Sequence, residues 1–308
     1  MSHIVLDDLK DDITDRYFSN KNFSTVFKDK LDLIERENNS ADPRGLKVKE
    51  QIFGSMEIDP LQPIANFKSR PFNWKYFAGE LAWYLKKDRD VNYIGNFSNF
   101  WSTLTNPNSN EINSNYGSLV FNEQLEWVVD SLVKDKNSRQ AIAFFNRPDF
   151  QFEGNKDFVC TMYANFFIRD NKLHMKIQMR SNDMFYGLTF DAPFFSFLHQ
   201  TVYHLVWQKR VLDGNDEHLE LGTYYHFADN LHFYERHFDL ANNIINEESD
   251  LNYILKLKRP FFNYSGDEGL RLSYYAKNFI KEIDKSTEEE HEQSYYRMIL
   301  SKYFELII

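Results

Sequence analysis

Residues 161–183 read TMYANFFIRDNKLHMKIQMRSND. Two strand-like runs flank the polar tetrad Arg169-Asp170-Asn171-Lys172, which is the pattern of a β-hairpin. In the second run Leu173, Met175, Ile177 and Met179 alternate with His174, Lys176, Gln178 and Arg180. A period of two sends the two sets to opposite faces of a sheet, with Arg180 closing the polar row.

Around this hairpin the chain reads as a mixture of helices and strands. Apolar residues at helical spacing (Phe18, Phe23, Val26, Phe27, Leu31, Ile34) predict an N-terminal helical segment within residues 1–39. Val48 opens a short apolar run, and the proline-punctuated 59–71 reads as loop or edge. Trp74, Phe77, Ala78, Leu81, Ala82 and Leu85 predict a helix capped by Asn73. Residues 86–118, rich in Asn and Ser, read as mostly irregular. A helix is expected over 122–133, a strand over 141–145 and a long apolar helix over 193–211. LELGTYYHFADNLHFYERHF reads as a strand, a turn at Ala228-Asp229-Asn230-Leu231 and an aromatic segment. From 246 the tail is expected to be helical, with a loop at YSGDEG. No clean linker divides the chain, so the expectation is one α+β domain over 1–308 with its core at about 40–245.

The composition bounds the function classes. The 308 residues include 36 Lys+Arg against 46 Asp+Glu, a formal charge of −10, with 29 Phe and 18 Tyr to build a core. That charge disfavours broad binding to a nucleic-acid backbone, although a local anion pocket remains compatible with it. One cysteine leaves no intrachain disulfide and no cysteine-based metal knuckle. No apolar run approaches the roughly 20 residues of a membrane helix, and MSHIVLDDLKDD is too acidic for a signal peptide. These features predict a soluble, cytoplasmic protein without membrane or direct nucleic-acid partners.

Chemistry is sparse on pattern alone. Cys160 as a lone cysteine reads first as a buried thiol; as a nucleophile it needs a cation or a base beside it. Arg44, Arg139 and Arg180 each read singly as surface residues, and together as a fork-shaped phosphate clamp. Periodicity puts Glu80 on the exposed stripe of its helix, whereas a pocket would raise its pKa into a useful acid/base range. His226, His232 and His237 follow no recognised zinc spacing, and no glycine-rich phosphate loop is present. No metal is expected.

Eight ordered segments carry more: PRG at 43–45, GELAWYL at 79–85, EINSNYG at 111–117, NSRQA at 137–141, DFVCT at 157–161, MRSND at 179–183, GLTFD at 187–191 and LHFYERH at 231–237. In this order they resemble the thymidylate synthase family, in particular its pyrimidine-nucleotide hydroxymethylase branch known from bacteriophages. The resemblance covers about residues 40–240. It implies the thymidylate synthase-like fold, a mixed β-sheet at a homodimer interface flanked by helices. It also implies a nucleoside monophosphate substrate and 5,10-methylenetetrahydrofolate as co-substrate. Carried over by motif, Cys160 is the nucleophile that adds to carbon 6 of the pyrimidine and Glu80 the acid/base. Arg44, Arg139, Arg180 and Ser181 would bind phosphate, His232 and Tyr234 the sugar hydroxyl, and Asn115 and Tyr116 the site wall. Asp183 would face the folate, and Arg139 would reach in from the neighbouring subunit.

The departures from the family pattern choose the reaction. Thymidylate synthases usually carry Asn where this chain has Asp191. A carboxyl that accepts from an amino group, and donates when protonated, complements cytosine better than uracil. Thr161 replaces the usual His after the cysteine, as in the hydroxymethylase branch. Gln140 stands for the second arginine of the synthase pair and Asn165 for a glutamine. The SKYFELII end differs from the synthase tail that closes over folate, which implies a site where water hydrates the intermediate. The resemblance therefore implies hydroxymethylation of dCMP. A divergent thymidylate synthase methylating dUMP, hydroxymethylation of CMP or dUMP, and a binding-only homologue are the alternatives.

Overall fold

The computed structural model describes residues 22–105, 109–215, 217–248, 253–264 and 269–307. The expectations for Phe18, Pro107 and most of the YSGDEG loop fall outside these residues.

The helices are α1 (Phe23–Glu37), α2 (Trp74–Lys86), α3 (Val91–Gly95), α4 (Tyr116–Val120), α5 (Glu123–Lys134), α6 (Thr189–Leu212), α7 (Phe238–Asn246), α8 (Tyr274–Lys285) and α9 (Gln293–Tyr303). The strands are β1 (Ser40–Ala41), β2 (Val48–Ile58), β3 (Ile142–Phe144), β4 (Thr161–Arg169), β5 (Lys172–Met179), β6 (Asn182–Asp183), β7 (Glu220–Tyr234), β8 (Ile254–Leu257), β9 (Phe262–Tyr264), β10 (Leu270–Leu272) and β11 (Phe304–Ile307). The main sheet runs β1-β2-β7-β5-β4-β3, with β6 also on β7. β7 is parallel to β5 and β6 and antiparallel to β2, so the sheet is mixed.

The hairpin is β4–β5, closed where Arg169 faces Lys172. Asp170 and Asn171 both take positive φ, 51° and 56°, as a two-residue turn matched to strand twist requires. Leu173, Met175, Ile177 and Met179 are buried, while His174, Lys176 and Gln178 lie half-buried on the other face. The buried face packs on α6, whose Phe194, Phe195, Phe197 and Leu198 are almost fully enclosed. That aromatic layer dominates the core.

Asn73 and Asn122 cap α2 and α5, accepting from the backbone N–H groups of Tyr76 and Gln124. Helix α2 is buried on nearly every side because α4, α8 and α9 all pack against it. Gly117 makes the α4 contact possible: a Cβ there would stand 1.7 Å from the Tyr84 carbonyl oxygen. No helix among the described residues is long and apolar enough to cross a membrane.

Two expectations change. No turn interrupts β7 at Ala228–Leu231; the strand runs through and pairs with β2 from Tyr224 to Tyr234. Its turn-forming residues have cross-strand partners instead, Asp229 accepting from Gln178 at 2.9 Å and Asn230 donating to Glu50 at 2.6 Å. The tail contains α8 and α9, as expected of a helical extension, but also β8–β11. Within SKYFELII, Ser301 to Tyr303 end α9 and Phe304–Ile307 form β11, antiparallel to β8.

Candidate active site

β5 ends at Met179 and β6 begins at Asn182, both against β7, so Arg180 and Ser181 occupy a break in the sheet. A bulge between Thr161 and Tyr163 shifts the hairpin register by one residue there. The shift brings Cys160 opposite Arg180. The Arg180 N–H bonds the Cys160 carbonyl at 2.9 Å, and the guanidinium Nη2 lies 3.4 Å from Cys160 Sγ. Nε of the same guanidinium donates to the Val159 carbonyl at 3.2 Å, and the group sits 4.7 Å from the centre of the Phe158 ring. Burial pushes the Cys160 thiol up; the positive charges of Arg180 and Arg44 pull it back, against the carboxylates Asp191 and Asp157.

Glu80 faces inward, 5 % exposed, not out along a solvated stripe. The enclosure of α2 on all sides is the reason periodicity misplaces it. Burial holds its carboxyl up at about 8, opposed by a hydrogen bond from Tyr76 and reinforced by the Asp191 charge. Tyr76 donates to Glu80 Oε1 at 2.7 Å and accepts from the Trp101 indole at 3.0 Å. At neutral pH this carboxyl is mostly protonated, a positioned acid in an apolar wall.

Asp191 lies in the first turn of α6, which begins four residues earlier than the apolar pattern suggests. Burial raises its carboxyl to about 6, with the Asn182 hydrogen bond working the other way and the Asp183 charge adding to the rise. Asn182 Nδ2 donates to Asp191 Oδ2 at 2.7 Å. Asn182 Oδ1 meets His226 Nε2 at 3.1 Å, and His226 Nδ1 meets the Tyr224 hydroxyl at 2.7 Å. All three supporting residues are buried. The charges of Cys160, Glu80 and Asp191 all act on the buried Tyr116 hydroxyl, which groups the three around it.

Tyr116 accepts from Thr161 at 2.9 Å and stacks on Tyr84 at 5.3 Å. Asn115 is held differently. Its amide donates to the carbonyls of Trp83 and Asp88 and its oxygen caps α4, so both amide hydrogens are spent on holding the loop. Asn115 supports the wall from behind.

Asp183 and His232 face each other across β6 and β7. Asp183 Oδ1 accepts from the Phe185 and Tyr186 N–H groups, while its buried Oδ2 and the buried His232 Nδ1 have no partner among the described residues. Buried polar atoms without partners are costly, and the His232 ring also interacts with the Asn230 backbone. Tyr234 packs edge-on against His232 at 5.2 Å.

Arg44 sits in the left-handed region (φ 56°) of a short turn before β2, and its charge acts on both Cys160 and His232. Ser181 is half-buried. Arg139 is not part of this cluster: it is exposed beside the edge strand β3, at the far end of the sheet from the β1–β2 edge that Arg44 flanks. Among the described residues no three His, Cys, Asp or Glu side chains form a metal-holding group.

Sequence reading passed over Tyr76, Trp101, Asn182 and Tyr224 as site residues and weighed His226 only as a metal ligand. Asn182 lies inside the quoted MRSND motif and was the legible one; the rest depend on tertiary packing.

The sequence profile described as Thymidylate synthase matches residues 25–282. Deoxycytidylate 5-hydroxymethyltransferase of Enterobacteria phage T4 is 31% identical over 219 residues, covering 65% of this chain and 81% of its own length. Deoxyuridylate hydroxymethyltransferase of Bacillus phage SP01 is 27% identical over 233 residues, 70% of this chain and 58% of its own. The solved structure of thermostable thymidylate synthase A from Bacillus subtilis matches with a TM-score of 0.62 at 20% identity, covering 83% of this chain and 96% of that one. With the profile spanning most of its length, the chain belongs to the thymidylate synthase family.

Proposed function

We propose that this protein is a deoxycytidylate 5-hydroxymethyltransferase, using methylenetetrahydrofolate as co-substrate. Family membership makes it a folate-dependent pyrimidine-nucleotide one-carbon transferase; the choice of dCMP and of a hydroxymethyl product is our reading. The observation that carries it is Asp191, a buried carboxyl grouped with Cys160 and Glu80 where thymidylate synthases usually have an amide. The name of the T4 relative supports the same choice.

In this reading Cys160, as thiolate beside Arg180, forms a bond to carbon 6 of the cytosine. Electron density then moves to carbon 5, which becomes the nucleophile. The co-substrate supplies the one-carbon unit at the oxidation level of formaldehyde. Glu80, protonated near neutral pH, donates a proton to the departing amine, and its conjugate base helps take up the carbon 5 proton. Water then adds to the new carbon. Expulsion of the Cys160 sulfur restores the aromatic ring. Asp191 reads the amino edge of the base, Arg44, Arg180 and Ser181 bind phosphate, and His232 and Tyr234 hold the sugar hydroxyl. Asp183, with its unpartnered oxygen, faces the folate. Arg139, apart from the cluster within one chain, serves the neighbouring site of a symmetric homodimer.

The test is product analysis with dCMP and methylenetetrahydrofolate. The reading expects 5-hydroxymethyl-dCMP and tetrahydrofolate. Formation of dTMP and dihydrofolate from dUMP, with dCMP inert, overturns it in favour of a thymidylate synthase.

A further inference from the structure

The Asp191 carboxyl is held from behind by a chain of three buried polar side chains. Asn182 offers its Nδ2 to Asp191 Oδ2 at 2.7 Å, so its Oδ1 faces His226 Nε2 at 3.1 Å. An amide oxygen only accepts, hence Nε2 carries the hydrogen. A neutral imidazole has a single N–H, and His226, deeply buried and without a carboxylate partner among the described residues, is neutral. Its Nδ1 therefore accepts, and the Tyr224 hydroxyl at 2.7 Å donates. Every hydrogen in the chain points towards Asp191: Tyr224 to His226, His226 to Asn182, Asn182 to Asp191 Oδ2.

We propose that the Tyr224–His226–Asn182 relay is a specificity-determining device that fixes Asp191 Oδ2 as an acceptor and so assigns any proton of the carboxyl to Oδ1. With Oδ2 set towards the group on carbon 4 of the base and Oδ1 towards the ring nitrogen, that polarity matches one base. Cytosine presents an amino donor and a ring-nitrogen acceptor; Oδ2 takes the amino hydrogen with its second lone pair and Oδ1–H donates to the ring nitrogen. Uracil presents an acceptor and an N–H donor, and needs the proton on the oxygen that already faces the Asn182 donor. The relay residues touch no reacting atom, so they are positioning residues. The inference rests on the dCMP reading above and adds what enforces it.

The test measures release of the carbon 5 hydrogen from dCMP and from dUMP by the full-length protein, its Asn182→Ala variant and its Tyr224→Phe variant. Tyr224→Phe removes one hydroxyl and keeps the ring, so it serves even where Asn182→Ala does not fold. The wild type is expected to prefer dCMP. Asn182→Ala should lower the dCMP/dUMP ratio about tenfold, and Tyr224→Phe about threefold in the same direction. Equal loss of both rates, with the ratio unchanged, assigns the three residues to mere support and overturns the relay alone. A wild type that prefers dUMP or exchanges neither nucleotide overturns the dCMP reading, and the relay with it.

Discussion

Arg180 places its Nη2 3.4 Å from Cys160 Sγ while its own N–H bonds the Cys160 carbonyl. One residue thus fixes both the position and the charge environment of the proposed nucleophile. The thiol is raised by burial and lowered first by Arg180. Arg180→Gln should therefore slow alkylation of Cys160 by iodoacetamide at pH 8 several-fold. Cys160→Ser serves as the zero-alkylation control, because Cys160 is the sole cysteine. An unchanged alkylation rate removes Arg180 from thiol activation.

Glu80 predicts an unusual pH dependence of stability. Its carboxyl moves from 4.5 to about 8 on folding, chiefly by burial. Between those values the folded chain binds a proton that the unfolded chain has released. Stability through this group is therefore full below about pH 4.5 and falls as pH rises towards 8. The slope approaches about 1.4 kcal/mol per pH unit for one proton. Asp191, raised from 3.8 to about 6, adds the same sign over a lower window. Thermal denaturation should show the wild-type Tm dropping by about 2 °C or more per unit from pH 6 to 8, and Glu80→Gln flattening that slope.

Arg139 makes the dimer testable. Mixing Arg139→Ala with Cys160→Ser chains, after denaturation and refolding together, leaves one intact site in each mixed dimer if Arg139 serves its neighbour. Random pairing then restores about a quarter of wild-type activity. Recovery of none places Arg139 in its own chain's site, and about half of wild-type activity, already retained by Arg139→Ala alone, places it outside catalysis.

Gly187 guards the Asn182–Asp191 contact. A Cβ at this position would stand 2.7 Å from Asn182 Nδ2, close enough to displace the amide, and a tight 3.1 Å from Asp191 Oδ2. Gly187→Ala should cut kcat/KM for dCMP at least about tenfold. Gly95→Ala, where nothing lies within 4 Å, is the control and should leave it unchanged.

The hairpin was legible because its alternation and turn residues state the same structure twice, once in Leu173–Met179 and once in Asp170-Asn171. Asn73 and Asn122 were legible because capping is local. Glu80 was not: beyond Tyr76 of its own helix, its surroundings are Trp101 and Asp191, residues distant in sequence whose approach no local pattern reveals. The Asp229-Asn230 pair read as a turn because those residues favour one in isolation, while the structure satisfies them through Gln178 and Glu50 on neighbouring strands. The nearness of Cys160 to Arg180 depends on a bulge that hydrophobic periodicity does not mark. Motif resemblance gathered Cys160, Glu80, Asp191, Arg180 and Tyr116 before any of this was visible; it also drew in Asn115, whose amide is occupied elsewhere.

The most direct measurement is exchange of the carbon 5 hydrogen with solvent, for dCMP and dUMP separately, by the wild type and by Asp191→Asn. It reports addition of the sulfur and choice of base at once, without the co-substrate. The account predicts wild-type exchange with dCMP well above that with dUMP, and a reversal of the order in Asp191→Asn. The same ratio in both proteins would contradict it.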